Sequence, residues 1–156
     1  PIIMKLLEEK LPVENITVMV QKEAADRLCA EVGTRECGAV TIAVDYYADA
    51  ERLFNVSSGS FIPAPKVDSS VIRLNIRKNL LVSPSDEKFF FRVIKAAFSQ
   101  RRKTALNAIS SGLGVSKTMV SEALSEAGLE QTVRAERIKT SQFALLSDIL
   151  LSKLAD

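Results

Sequence analysis

The sequence changes period once, after Lys78, and that change constrains the fold more than any other feature. Ser70-Val71-Ile72-Arg73-Leu74-Asn75-Ile76-Arg77 alternates apolar with polar residues, the period of two expected of a strand with one buried face. Asn79 to Ser85 reads as a linker. Beyond it Phe89, Phe90, Val93, Ile94, Ala97 and Phe98 recur at helical spacing as one apolar stripe. The expectation is an α/β unit over residues 1–78 and an all-α unit over 79–156, and 156 residues can bury one ordinary core or two small ones.

Within the first unit, Pro1 followed by Ile2, Ile3, Met4, Leu6 and Leu7 suits a helix, because proline is tolerated in a first turn. A chain that opens inside a helix is expected to be a piece of a longer one. Ile16-Thr17-Val18-Met19-Val20 is a short β-branched run, expected to be a strand buried on both faces. Glu23 to Ala30 is helix-forming and ends near Gly33, whereas Gly38 to Val44 fits helix or strand equally. Arg52 to Val56 is a second strand candidate, giving a hairpin-like pair with residues 70–77. Between them Phe61-Ile62-Pro63-Ala64-Pro65-Lys66-Val67-Asp68 is a stiff connection, since each proline fixes its own torsion and restricts its predecessor. Asp68 before Ser69-Ser70 is turn-prone.

In the second unit Ser85 or Asp86 can cap the first helix, with Lys88, Arg92 and Lys95 on the face opposite the stripe. Gln100-Arg101-Arg102-Lys103 follows, read as helical, so that successive side chains diverge by about 100° and no more than two cations face one phosphate ridge. A short helix is expected through Ile109, stopped by Ser110-Ser111-Gly112. Ser116 caps a third with core positions Met119, Val120, Ala123 and Leu124, and Gly128 fits its end. A last helix from about Thr140 should pack through Phe143, Leu146, Ile149, Leu150 and Leu154.

Charge narrows the function. Residues 1–78 carry ten Lys/Arg and eleven Asp/Glu, and residues 79–156 carry eleven and eight. Lys88 to Lys103 holds six basic residues and no acid, a local field suited to a polyanion, with a solvated helix face as the alternative. There is no histidine, which excludes histidine-based metal sites and Ser-His or Cys-His catalysis. Cys29 and Cys37 read as two free thiols of a cytosolic protein. No apolar run reaches the roughly 20 residues of a membrane helix.

Two segments carry a resemblance. Phe61-Ile-Pro-Ala-Pro-Lys-Val-Asp-Ser is similar to the F-x-P-x-P-K-V-D-S motif of small-subunit ribosomal RNA adenine dimethyltransferases, the KsgA type. Ala97-Phe98-Ser-Gln-Arg-Arg-Lys-Thr104 resembles that family's A-F-x-Q-R-R-K-T signature, and Gln21-Lys22-Glu23 ahead of Arg27 looks like a third family segment. The resemblance implies the C-terminal part of a Rossmann-like class I methyltransferase domain followed by a small helical domain that binds ribosomal RNA. It further implies that the complete protein uses S-adenosylmethionine, acts on an assembling small ribosomal subunit, and is cytoplasmic.

The family's glycine-rich turn, its acidic partners and its N-L-P-Y-type catalytic segment have no match, so no cofactor-binding residue is expected in this chain and no activity from it alone. By resemblance Phe61 would stack on the extruded adenine, with Pro63 and Pro65 stiffening its loop. The competing reading makes Phe61 a core aromatic. Lys66 could meet a phosphate beside the base or lie on the surface. Lys22 and Arg27 are weaker RNA-facing candidates. Gln100, Arg101, Arg102 and Lys103 are the strongest, since arginine pairs bidentately with phosphate. Two other functions stay open: a large-subunit adenine methyltransferase of the macrolide-resistance type, and an RNA-binding or assembly module.

Overall fold

A computed structural model describes residues 1–156. The elements run α1 (Ile2–Glu8), β1 (Asn15–Gln21), α2 (Lys22–Leu28), α3 (Ala39–Tyr47), β2 (Ala48–Val56), β3 (Ser69–Ile76), α4 (Glu87–Ala97), α5 (Ala105–Leu113), α6 (Lys117–Glu126) and α7 (Thr140–Ala155). Short 3-10 turns lie at Ser58–Ser60 and Ala135–Arg137. The three strands form one antiparallel sheet in the order β1-β3-β2. Four helices, α4 to α7, make the second unit.

The alternating strand read over residues 70–77 is β3, with Ser70, Ile72 and Leu74 on its buried face. The segment around Ile16–Val20 is not buried on both faces, as its composition suggests. It is an edge strand in which Ile16, Val18 and Val20 are half-buried while Thr17 and Met19 are exposed. Helices α2 and α3 pack on the sheet, and burial alternates along β1 and β3, so one face is covered and the other is open.

The ambiguous stretch from Gly38 is helix α3. Gly38 donates its N–H to Thr41 Oγ1 at 2.9 Å, and Thr41 Oγ1 donates to the carbonyl of Arg27 at 2.7 Å, fixing the helix start against α2. Burial of Ile42, Val44, Tyr46 and Tyr47 then decides for a helix packed on two sides.

Asp86, not Ser85, caps α4, its carboxylate accepting from the N–H of Phe89 at 3.0 Å. Two helical expectations need correction. Ser110-Ser111-Gly112 does not stop α5, which runs to Leu113 and ends at Gly114 in the left-handed region, φ 67°. Gly112 serves a close crossing instead: a Cβ there would lie 2.7 Å from the Cβ of Ala96 in α4. Leu154 is exposed, whereas Phe143, Leu146 and Leu150 of α7 are fully buried.

The boundary at residues 78 and 79 changes the secondary structure without interrupting the packing. One cluster of 28 buried residues includes Ile72 and Leu74 of the sheet together with Phe90, Ile109 and Leu146 of the helical unit. Tyr46 and Tyr47 meet Phe90 and Phe91 across the join, with ring centroids 5.2–5.8 Å apart. Asp45 adds polar ties: its Oδ1 accepts from Arg77 Nη2 at 3.2 Å and its Oδ2 from Thr140 Oγ1 at 2.6 Å.

Candidate nucleic-acid interface

The residues singled out in the sequence fall into two places. The first is the loop between β2 and β3. Asp68 closes its base, accepting the N–H of Ser58 at 2.9 Å on its carboxylate, while its carbonyl accepts the N–H of Lys22 at 3.0 Å. Asp68 therefore has the turn-closing part expected of it, and the start of α2 is pinned beside the loop. Phe61 is half-exposed and outside the hydrophobic core, so the structure does not make it a core aromatic. Pro63, Lys66 and Lys22 are exposed, and Ile62–Pro63 is a cis peptide.

The second place is a cationic groove. After α4 the chain turns through Ser99–Lys103 before Thr104 caps α5, so the Arg101–Lys103 cluster sits in a turn and not on a helix. The reason lies in the local chain: Phe98 ends α4, and Thr104 Oγ1 accepts the N–H of Asn107, starting a new helix in another direction. The expectation of a 100° divergence between neighbours lapses with the helix.

The turn forms one wall of a cavity of about 220 Å³ whose polar lining is Arg35, Gln100, Arg101, Lys103, Arg134 and Glu136, over a floor that includes Phe98. A second cavity, of about 250 Å³, shares Arg35 and Arg101 and adds Arg27, Glu23, Asp26 and Glu36. The two make a continuous groove from α2 across the 35–38 loop to the turn at Ala135–Arg137. Arg27 and the cluster are thus brought together, whereas Lys22 and Lys66 stay with the Phe61 loop. Arg102 is exposed and lines neither cavity.

Ion pairing separates this groove from the sheet. Arg52, Arg73 and Arg77 pair with Asp26, Glu51 and Asp45, and the Arg52 guanidinium holds the Asp26 carboxyl below its usual range. Arg27 pairs with Glu23 at 3.2 Å. Arg35, Arg101, Lys103 and Arg134 form no ion pair. A methyl group on Gly38 would sit 3.9 Å from Arg101 Nη2, so that guanidinium lies by the N-terminus of α3, whose own partial positive charge adds to the field. Gln100 Nε2 reaches Ser111 Oγ at 3.5 Å.

The sequence gives no sign of Arg35 and Arg134. Each stands alone among neutral or acidic neighbours, and nothing local signals that residues a hundred positions apart meet. Cys37 backs the groove as a buried free thiol and Cys29 is the other free cysteine; burial pushes both thiols up, so they stay protonated at neutral pH.

Gly33 follows α2, Gly38 caps α3 and Gly59 lies in the 3-10 turn after β2, and none of the three belongs to a G-x-G pair. No helix is long and apolar enough to cross a membrane.

A family model described as ribosomal RNA adenine dimethylase matches residues 1–151. The ribosomal RNA small subunit methyltransferase A of Shouchella clausii is 47% identical over 156 residues, covering 99% of this chain and 53% of that protein. Its counterpart in Bacillus cytotoxicus is 46% identical, with 97% and 53% covered. The chain therefore spans about half the length of the curated relatives it matches. Among solved structures, a dimethyladenosine transferase from Plasmodium falciparum superposes with a TM-score of 0.77 at 22% identity, over 94% of this chain and 60% of that one. The 23S rRNA methyltransferase ErmE gives 0.64 at 21%, over 95% and 59%. These two likenesses speak to the α/β fold.

Proposed function

The chain belongs to the ribosomal RNA adenine dimethylase family, and from that premise we propose that it is the RNA-engaging part of an S-adenosylmethionine-dependent enzyme that dimethylates adenines in small-subunit ribosomal RNA. Residues 1–78 act as the methyltransferase portion and residues 79–156 as the RNA-binding portion. The partner is small-subunit ribosomal RNA within an assembling subunit, in the cytoplasm. Small-subunit names on relatives near 45% identity support this over the large-subunit alternative.

The observation that carries the reading is the contrast in arginine pairing. The sheet's arginines are neutralised by carboxylates, while four cations of the groove are left unpaired. Four unpaired cations on one lining, against Glu136 as its single carboxylate, leave a net positive site that a polyanion would complete. Arg35, Arg101, Lys103 and Arg134 would hold consecutive phosphates, and Arg27 would extend the track. The contacts fix register and orientation without reading sequence.

Phe61 has a different part. Methyl transfer to an exocyclic amine is a direct displacement that needs a held and oriented base. A half-exposed aromatic on a loop braced by Asp68 and Pro63 can offer one ring face to an extruded adenine, and Lys66 would stand by its phosphate. On this reading the residues of this chain act on the RNA side of the transfer.

The test is binding of ribosomal RNA at several salt concentrations, for wild type and for Arg101→Ala/Arg102→Ala/Lys103→Ala. Each phosphate contact contributes about 0.7–0.9 to the slope of log affinity against log salt. With Arg101 and Lys103 lining the groove, the triple variant should flatten the slope by about 1.4–1.8, and Arg102→Ala alone should be nearly silent. Parallel salt lines for wild type and the triple variant would remove the groove from the RNA site. RNA binding by this chain with no effect of S-adenosylmethionine would leave the RNA-binding module as its description.

A further inference from the structure

We propose that Arg137 is a positioning residue for the groove, holding the turn that carries Arg134 against the loop that carries Arg35. The proposal rests on the RNA-binding reading above and concerns how the empty groove keeps its shape. Arg137 Nη1 donates to the carbonyl oxygen of Gly33 at 2.9 Å, a bond between residues 104 positions apart. Arg134 lies three residues before the donor and Arg35 two residues after the acceptor, so the bond joins the two segments that carry these cavity-lining arginines.

Both ends of the bridge are fixed by their own turns. On the acceptor side Thr34 donates its N–H and its Oγ1 to the carbonyl of Glu31, at 3.2 and 2.6 Å, and Cys37 donates its N–H to the carbonyl of Thr34 at 3.1 Å. Gly33 itself has φ 93°, a conformation glycine adopts without strain. On the donor side Arg137 donates its N–H to the carbonyl of Arg134 at 3.0 Å, and the next residue, Ile138, is fully buried. A side chain joining two anchored turns can set the separation of what they carry.

The groove needs such a brace. Arg35, Arg101, Lys103 and Arg134 line one cavity in which Glu136 is the single carboxylate, so a net repulsion works to part its walls. Wall separation that is already set in the free protein spares the ordering that binding would otherwise require. Arg137 differs from those four in that its guanidinium is committed to a backbone carbonyl.

A double-mutant cycle tests this, using ribosomal RNA at low salt and 25 °C and the chain as it stands. Arg137→Met keeps the apolar stem and removes the donors. It should weaken binding roughly three- to tenfold, the range that the net worth of one hydrogen bond allows. In an Arg134→Met background the same change should add less than about twofold, because the residue being positioned is already gone. An equal factor in both backgrounds would make Arg137 an independent phosphate contact and overturn the proposal. So would a lowered melting temperature with unchanged RNA affinity, which is what a merely structural bond gives. If Arg134→Met by itself changed neither affinity nor salt slope, the RNA reading of the groove would fall first, and the proposal with it.

Discussion

Helix α4 and strand β1 both carry large apolar residues, yet α4 buries Phe89, Phe90, Val93 and Ile94 while β1 leaves Met19 exposed and its other apolar residues half-covered. The difference follows from where each element finds its hydrogen bonds. A helix satisfies its backbone internally and needs only its apolar stripe covered, and α5 and α7 cover that of α4. A sheet has two faces and two edges. Here α2 and α3 cover the face bearing Ile72 and Leu74. The opposite face presents Met19, Val71 and Phe54 in register across all three strands, and the outer edge of β1 is unpaired. Apolar content alone does not decide burial; the number of neighbours an element requires does.

Paired substitutions test this contrast most strongly. Phe90→Ala in α4 should cost about 3–5 kcal/mol of unfolding free energy, as large-to-small changes at fully buried aromatics do. Phe54→Ala, at a residue 56% exposed on the open face, should cost about 0.5 kcal/mol or less. Urea unfolding of both variants decides it. Comparable losses would mean that the open face is covered in solution, and the contrast between the two regions would collapse.

A smaller effect separates two glycines. Gly112→Ala places a methyl 2.7 Å from the Cβ of Ala96 and 3.0 Å from its Cα, so α4 and α5 must move apart. Overpacking of this kind costs about 1–3 kcal/mol, and the better helix propensity of alanine returns about 1 kcal/mol. A net loss of up to about 2 kcal/mol is expected. Ala96→Gly in the same chain should recover part of it by reopening the crossing. Gly59→Ala in the sheet unit meets nothing closer than Ser57 Oγ at 3.7 Å and should be nearly neutral. A neutral Gly112→Ala would show that the crossing yields.

These cases also show what can be read in the sequence. The stripe of α4, the alternation of β3 and the turn at Asp68 are legible, because each is a local pattern with a local cause. Gly112 reads as a stop, because a glycine needed for a helix crossing looks the same in one dimension as a glycine that ends a helix. The edge position of β1 is hidden for a similar reason: a β-branched run reports strand, not the number of its neighbours. In the groove the Gln100–Lys103 cluster announces itself by density. Arg35, Arg134 and Arg137 become functional candidates only when the fold sets two distant turns side by side.

A pH-dependent effect lies at the join of the two regions, where Tyr46 and Tyr47 at the end of α3 meet Glu87 in the first turn of α4. Tyr46 donates its hydroxyl to Glu87 Oε2 at 2.7 Å and Tyr47 donates to Oε1 at 3.2 Å. Burial, with the Glu87 carboxylate beside them, pushes both phenols well above their usual value near 10. Below about pH 10 both phenols are protonated whether the chain is folded or not, so their contribution to stability is fully present. As the pH rises past that value the unfolded chain releases its phenolic protons while the folded chain keeps them. Stability therefore falls with rising pH until the folded phenols titrate. Tyr46→Phe should cost about 1 kcal/mol at neutral pH, the net worth of one hydrogen bond. These are the only two tyrosines in the chain, so Tyr46→Phe/Tyr47→Phe should lose their whole share of the alkaline decline. The readout is the difference in urea midpoint between wild type and double variant from pH 8 to 11, which cancels the lysines and thiols common to both. That difference should shrink steadily above pH 10. If it stayed constant, the phenols would titrate alike in the folded and unfolded chain, and the bonds from Tyr46 and Tyr47 to Glu87 would not hold α4 to α3.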